Sequence, residues 1–180
     1  MEKDTKSEMQ DFFKSSFIYA GAFFFFAAVF FAIGFRINIS DSLDKGVYLF
    51  RKNTPIQQGD IVRFITSPEV SKLALERNYV TYRAFSDELP IDTAKIVEGI
   101  PGDSYVINKN GVFINDVLVP DSKPLDSDSI GRPMPVFQAS GVLEEGQYIV
   151  MSQNHTYGFD SRYYGHITQD MILGVGKKVL

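Results

Sequence analysis

The sequence predicts a mainly β protein: an N-terminal transmembrane helix followed by an antiparallel β domain with one short helix. Three observations predict it. Phe17 to Phe35 is an uncharged run of 19 residues. Beyond Arg36 the chain changes to short, apolar-alternating runs separated by Gly, Pro and Asn, the pattern of antiparallel strands joined by tight turns. A single segment, "SPEVSKLALERN", carries helix signals inside that β region. The expected division is a short tail over 1–16, an anchor over 17–35 and a β domain over 36–180.

The apolar run spans about 28 Å as a helix, close to the thickness of a bilayer core. Ala32-Ile33-Gly34 has the small-x-small form of a cleavage site. Against cleavage, the run is longer than a usual signal-peptide core and "MEKDTKSEMQDFFK" before it is net acidic, so an uncleaved anchor in contact with membrane lipid is expected. Lys3, Lys6 and Lys14 on one side are matched by Arg36, Lys45, Arg51 and Lys52 on the other, so charge bias does not set the orientation.

The expected strands are "GVYLFRK", "GDIVRFI", "NYVTYRAF", "AKIVEGI", "SYVINKNGVFINDVLV" and "GQYIVMS". A hairpin is expected about Asn110-Gly111, where both residues accept the positive φ of a tight turn. Ser67 is the expected N-cap of the helix, with Pro68 at its first position. Pro101-Gly102 fits the centre of a type II turn. "PDSKPLDSDSIGRPMP", between Pro120 and Pro135, reads as a surface loop.

Composition excludes several functions. A net charge of −4 without a dense Lys/Arg block argues against nucleic-acid binding. With no cysteine there is no disulfide, thiolate nucleophile or cysteine-bound zinc, and with only His155 and His166 a histidine-built metal site is not expected. No glycine-rich nucleotide loop is present, so no cofactor is expected.

"NISDSLDKGVYLF" places Ser42 between Asp41 and Asp44, and the chain has no obvious Ser-His-Asp set. A lysine can replace the histidine, provided that apolar surroundings disfavour its charged form. Lowering a lysine pKa by about 2 to 3 costs roughly 3 to 4 kcal/mol, so the base should lie within an apolar strand. Lys95 in "TAKIVEGIPGD" fits best. From the residues alone, Lys95 is either such a base or an edge lysine with a solvated tip, and Ser42 either a nucleophile or a turn residue.

Three segments together resemble the membrane-anchored signal peptidase I clan of serine-lysine proteases, over most of residues 17 to 174. "SDSLDKGVY" is similar to the nucleophile box, "KIVEGIPGD" to the lysine box, and "SQNHTYGFDSRYYG" to the third box, which ends in Asp-Ser-Arg-Tyr-aromatic-Gly. The resemblance implies that Ser42 is the nucleophile and Lys95 the general base. It also implies an oxyanion hole made by the Ser42 N–H and the Ser40 hydroxyl, although Ser40 also reads as a turn or cap serine. Asp160 and Arg162, two apart, can pair on one face of an extended chain and are read as structural support. Two positions depart from the pattern. Asp44 stands where many members have proline, and its carboxylate could raise the pKa of a neighbouring ammonium. Gly158 stands where a serine is common, so a hydroxyl such as that of Thr156 or Ser161 would have to hold the lysine.

The small size, "SLDKGVYLF", the helical insertion and "FDSRYYG" lean toward the TraF-type, conjugative-transfer branch. That likeness implies an inner-membrane, single-pass protease with its β domain in the periplasm, acting beside conjugative type IV secretion components. Its substrate would be the precursor of a pilin or another transfer protein, bound extended as an added β-strand with small residues at alternate positions. A housekeeping leader peptidase and an inactive membrane-anchored scaffold are the alternatives.

Overall fold

The computed structural model describes residues 2–80, 90–153 and 156–180. The chain divides into two units, Met1–Arg36 and Ile37–Leu180. The first is built on helix α1 (Glu2–Ile33), whose stretch Phe12–Ile33 has 22 residues and a mean hydropathy of 2.2. Phe17 and Phe23 to Phe26 are all exposed along it. The helix stops where Gly34 takes a φ of 110°, and its last turn is closed by Arg36 Nη1 donating to the Phe31 carbonyl at 2.9 Å.

The second unit is mainly antiparallel β. Its larger sheet has the order β1-β2-β11-β3-β4-β9-β10, from β1 (Phe35–Asn38), β2 (Gly46–Arg51), β3 (Ile61–Ile65), β4 (Asp92–Gly99), β9 (Gln147–Met151), β10 (Ile167–Thr168) and β11 (Ile172–Lys178). The smaller sheet has the order β7-β6-β5-β8, from β5 (Ser104–Asn108), β6 (Gly111–Ile114), β7 (Val117–Leu118) and β8 (Ala139–Val142). Two short helices, α2 (Pro68–Glu76) and α3 (Ser161–Tyr164), complete it. Val62, Phe64, Val97, Val150 and Ile167 form one buried cluster, and Leu43, Tyr48 and Phe50 another. Ile149 and Met151 of β9 join Ile107, Val112, Ile114 and Leu143 in a third, which fixes the smaller sheet to the larger.

Most expected elements are present, with instructive differences. Ser67 caps α2 and Pro68 opens it. Arg77 is the C-cap, and beyond it Asn78 takes a φ of 56° with the Tyr79 N–H bonded to the Ala74 carbonyl, an arrangement that satisfies the last carbonyls of the helix. Of the expected strand "NYVTYRAF", Asn78 to Val80 are therefore not strand, and 81–85 lie outside the described residues. The hairpin about Asn110 turns one residue early. Asn108 pairs with Gly111, the Asn108 side chain accepts from the Asn110 N–H at 2.7 Å, and Asn110 is not among the positive-φ residues. The pair with positive φ at both centres is Asn115-Asp116, at 49° and 63°, turning β6 into β7.

Strand β11 has no counterpart in the sequence reading, because Gly174 and Gly176 interrupt its apolar alternation. Those glycines are what let it run between β2 and β3. A Cβ on Gly176 would lie 2.4 Å from the ring of Phe50, and one on Gly174 3.0 Å from the Arg51 carbonyl oxygen. Gly176→Val is expected to destabilise the protein by about 1 to 3 kcal/mol through overpacking. An unchanged denaturation midpoint would show that the contact yields.

Candidate active site

The site is assembled where the loop before β2, the strand β4 and the segment after β9 meet. Asn38, at the end of β1, organises the first of these. Its amide donates to the carbonyls of Ser40, Leu43 and Asp44 at 3.0, 2.9 and 3.1 Å, folding residues 39–44 into a tight loop with Ser42 in it. The loop is anchored below by Leu43, 4% exposed. On its flank, the Gln153 N–H donates to the Ser42 carbonyl at 2.7 Å, and the Gln153 side chain accepts from the Asp44 N–H at 2.9 Å.

Lys95 enters from β4, where it pairs with Val62 of β3 and is 3% exposed. Its Nζ lies 2.8 Å from Ser42 Oγ and 2.8 Å from Ser152 Oγ. Burial pushes its pKa down from 10.5 to about 8; the Asp160 carboxylate opposes that shift and the Arg162 guanidinium adds to it. A lysine in this state is a usable base near neutral pH, with a serine hydroxyl already in reach.

Asp160 and Arg162 lie beneath, both wholly buried. They pair, although not across an extended chain. Asp160 caps α3, and Arg162 in its first turn folds back to bond both carboxylate oxygens, Nε to Oδ1 at 2.8 Å and Nη2 to Oδ2 at 2.9 Å. Oδ2 also accepts from the Ser152 N–H at 3.0 Å, so the ion pair holds the segment that carries Ser152.

The Ser40 hydroxyl is engaged elsewhere in this arrangement, donating to Asn38 Oδ1 at 2.8 Å. The Ser42 N–H, by contrast, makes no hydrogen bond among the described residues. Asp44 does not act on the lysine as its position suggested. It is exposed, its carboxylate lies 3.9 Å from Lys178 Nζ, and the charges that shift Lys95 are those of Asp160 and Arg162. Neither Thr156 nor Ser161 holds the lysine. Ser161 accepts from the Val150 N–H at 2.9 Å, Thr156 lies in a neighbouring groove, and the lysine's second hydroxyl is that of Ser152. Of the third box, Asn154 and His155 lie outside the described residues.

Sequence reasoning missed Asn38, Ser152 and Gln153. A signal for Ser152 was present: it directly follows the apolar strand "QYIVM", a position that brings a hydroxyl to the end of a buried strand. Beside the Ser42 loop runs a groove of about 630 Å³, lined by Asp41, Leu43, Asp44, Lys45, Pro120, Asp121, Gln153 and Thr156. Among the described residues no group of His, Cys, Asp or Glu is placed to hold a metal ion.

The family described as signal peptidase, peptidase S26, matches residues 9–180. The chain is 29% identical to a plasmid transfer protein TraF of Escherichia coli, over 89% of this chain and 90% of that one. It is 31% identical to a probable conjugal transfer protein TraF of Sinorhizobium fredii, over 82% and 77%. Among solved structures, a signal peptidase I from Enterococcus faecalis matches with a TM-score of 0.38 and 21% identity, over 68% of this chain and 97% of that one.

Proposed function

The chain belongs to the signal peptidase, peptidase S26, family, and from that premise we propose that it is a membrane-anchored serine endopeptidase working through Ser42 and Lys95. One observation carries the reading: a buried lysine, its pKa lowered to about 8, lies 2.8 Å from a serine hydroxyl on a pinned loop.

Neutral Lys95 takes the proton of the Ser42 hydroxyl as Oγ attacks a substrate carbonyl. The carbonyl π electrons pass to its oxygen, and the oxyanion is met by the Ser42 N–H, with the Ser40 hydroxyl as second donor once it turns from Asn38. On collapse the C–N bond breaks, and the Lys95 ammonium gives its proton to the leaving amine. Lys95 then removes a proton from water, which attacks the acyl-serine, and returns it to Ser42 Oγ.

An exported precursor fits this site as an added strand. β9 pairs with β4 only from Ile96 onward, so the edge of β4 over Asp92 to Ala94 has no strand on that side among the described residues. The apolar stretch Phe12–Ile33, none of it buried, supports a single-pass anchor in the inner membrane, with the β unit on the periplasmic side where precursors emerge. The likeness to TraF proteins favours a pilin or another conjugative-transfer precursor, in the company of type IV secretion components. Two observations weigh toward an active enzyme over an inactive scaffold: Asp44 is turned to Lys178, and Ser152 brings to Lys95 the hydroxyl that position 158 lacks.

The test is processing of precursors by the full chain in phospholipid vesicles. Cleavage should be slow at pH 6 and rise through an apparent pKa of about 8 as Lys95 loses its proton. A profile flat from pH 6 to 9 would remove the lysine from the mechanism. Cutting of pilin precursors but not of general secretory precursors separates the conjugative reading from the housekeeping one.

A further inference from the structure

Ser152 and residue 158 compete for one space. A Cβ built on Gly158 would lie 2.1 Å from Ser152 Oγ and 2.4 Å from Ser152 Cβ. The second distance decides the matter, because turning the Ser152 side chain moves Oγ and leaves Cβ in place. Neither segment can back away freely. Ser152 is tied by its N–H to Asp160 Oδ2, the next residue is tied to the Ser42 carbonyl, and the Gly158 carbonyl accepts from Arg162 Nη2 at 2.8 Å.

A neutral amine has two N–H donors and one lone pair, and Lys95 works as a base only when the lone pair faces Ser42. With Ser152 Oγ accepting an N–H at 2.8 Å, the amine is held in that rotation. Without it, the amine turns about its Cε–Nζ bond. We propose that Ser152 is the positioning residue that sets the rotation of the Lys95 amine, and that residue 158 is glycine because the Ser152 side chain stands where its Cβ would be. The proposal rests on the Ser42/Lys95 reading. It implies that the lysine-holding hydroxyl can be supplied from either position but not from both.

The experiment is an exchange, read on the full chain by cleavage kinetics and by melting temperature. Ser152→Ala should lower kcat by about 10²-fold with KM unchanged, since Ser152 is wholly buried and touches no substrate. Gly158→Ser should lose as much kcat and also melt lower. In the double variant Ser152→Gly/Gly158→Ser, the new side chain's Cβ lies 2.1 Å from the place Ser152 Oγ now occupies, which puts a hydroxyl in reach of Lys95, and kcat should recover at least about tenfold over Gly158→Ser. Recovery falls short of wild type because a Cβ at 158 would also lie 2.8 Å from Asp160 Oδ2. A Gly158→Ser enzyme with wild-type kcat, an exchange no better than Gly158→Ser, or a Ser152→Ala variant that raises KM with kcat intact would each overturn the proposal. Should the wild type process no precursor, the peptidase reading falls and the collision is still read from melting. Equal melting temperatures of wild type and Gly158→Ser overturn it then, and a drop rescued by Ser152→Gly sustains it.

Discussion

Ser42→Ala and Lys95→Met are each expected to fold normally and, on the mechanism proposed above, to lose precursor cleavage by on the order of 10⁴-fold or more, because a nucleophile and its base act as a unit and losing either removes the covalent route. The double variant should be no worse than either single one. Folding of Lys95→Met has its own signature. The Lys95 pKa falls from 10.5 to about 8 on folding, so between those values the unfolded chain holds a proton that the native one has lost. Burying the amine therefore costs about 3 kcal/mol below pH 8, and that cost fades as pH rises toward 10.5. Relative to Lys95→Met, wild type should gain stability over that window. Parallel stability curves for the two proteins, or cleavage retained in both single variants, would sink the assignment.

Arg162→Met is expected to be the most destabilising single change in the site, by about 3 to 5 kcal/mol, since it leaves the Asp160 carboxylate buried without its contacting guanidinium. It also strips the Gly158 carbonyl of its donor at 2.8 Å. The same change should move the rise of activity to higher pH, because Arg162 helps to hold the lysine's pKa down while Asp160 pushes it up. Asp160→Asn/Arg162→Met, with both charges gone, should bring the profile back toward about 8 and recover part of the stability. A loss below about 1 kcal/mol in Arg162→Met, by urea unfolding, would mean that the pair is far better solvated than its burial implies.

The residues that sequence exposed most readily were those whose roles are written locally. Ser42 stands in a turn-rich segment, Lys95 inside an apolar strand, and Asp160 and Arg162 two apart. Their neighbours are non-local. Ser152 meets Lys95 because β4 and β9 pair with Ile96 opposite Met151, a register that no local pattern encodes. Asn38 reads as a polar residue after a membrane run, and only the folded loop shows it donating to three carbonyls. Asp44 misled for the opposite reason. It is close in sequence to Ser42, but its carboxylate turns away to Lys178, a residue contributed by β11. The glycines of β11 hid a central strand because glycine reads as a breaker, whereas here its missing side chain is the requirement.

The placement of β11 also bears on when the proposed Ser42/Lys95 pair can form. Ser42 precedes β2, Lys95 lies on the strand paired with β3, and among the described residues β2 and β3 are joined in the sheet through β11. A nascent chain emerging from the ribosome carries Ser42 and Lys95 long before residue 172, but it then lacks the strand whose hydrogen bonds set β2 in register with β3. Chains arrested before that point are therefore expected to hold Ser42 and Lys95 apart, and the proposed pair is expected to form only when β11 enters the sheet.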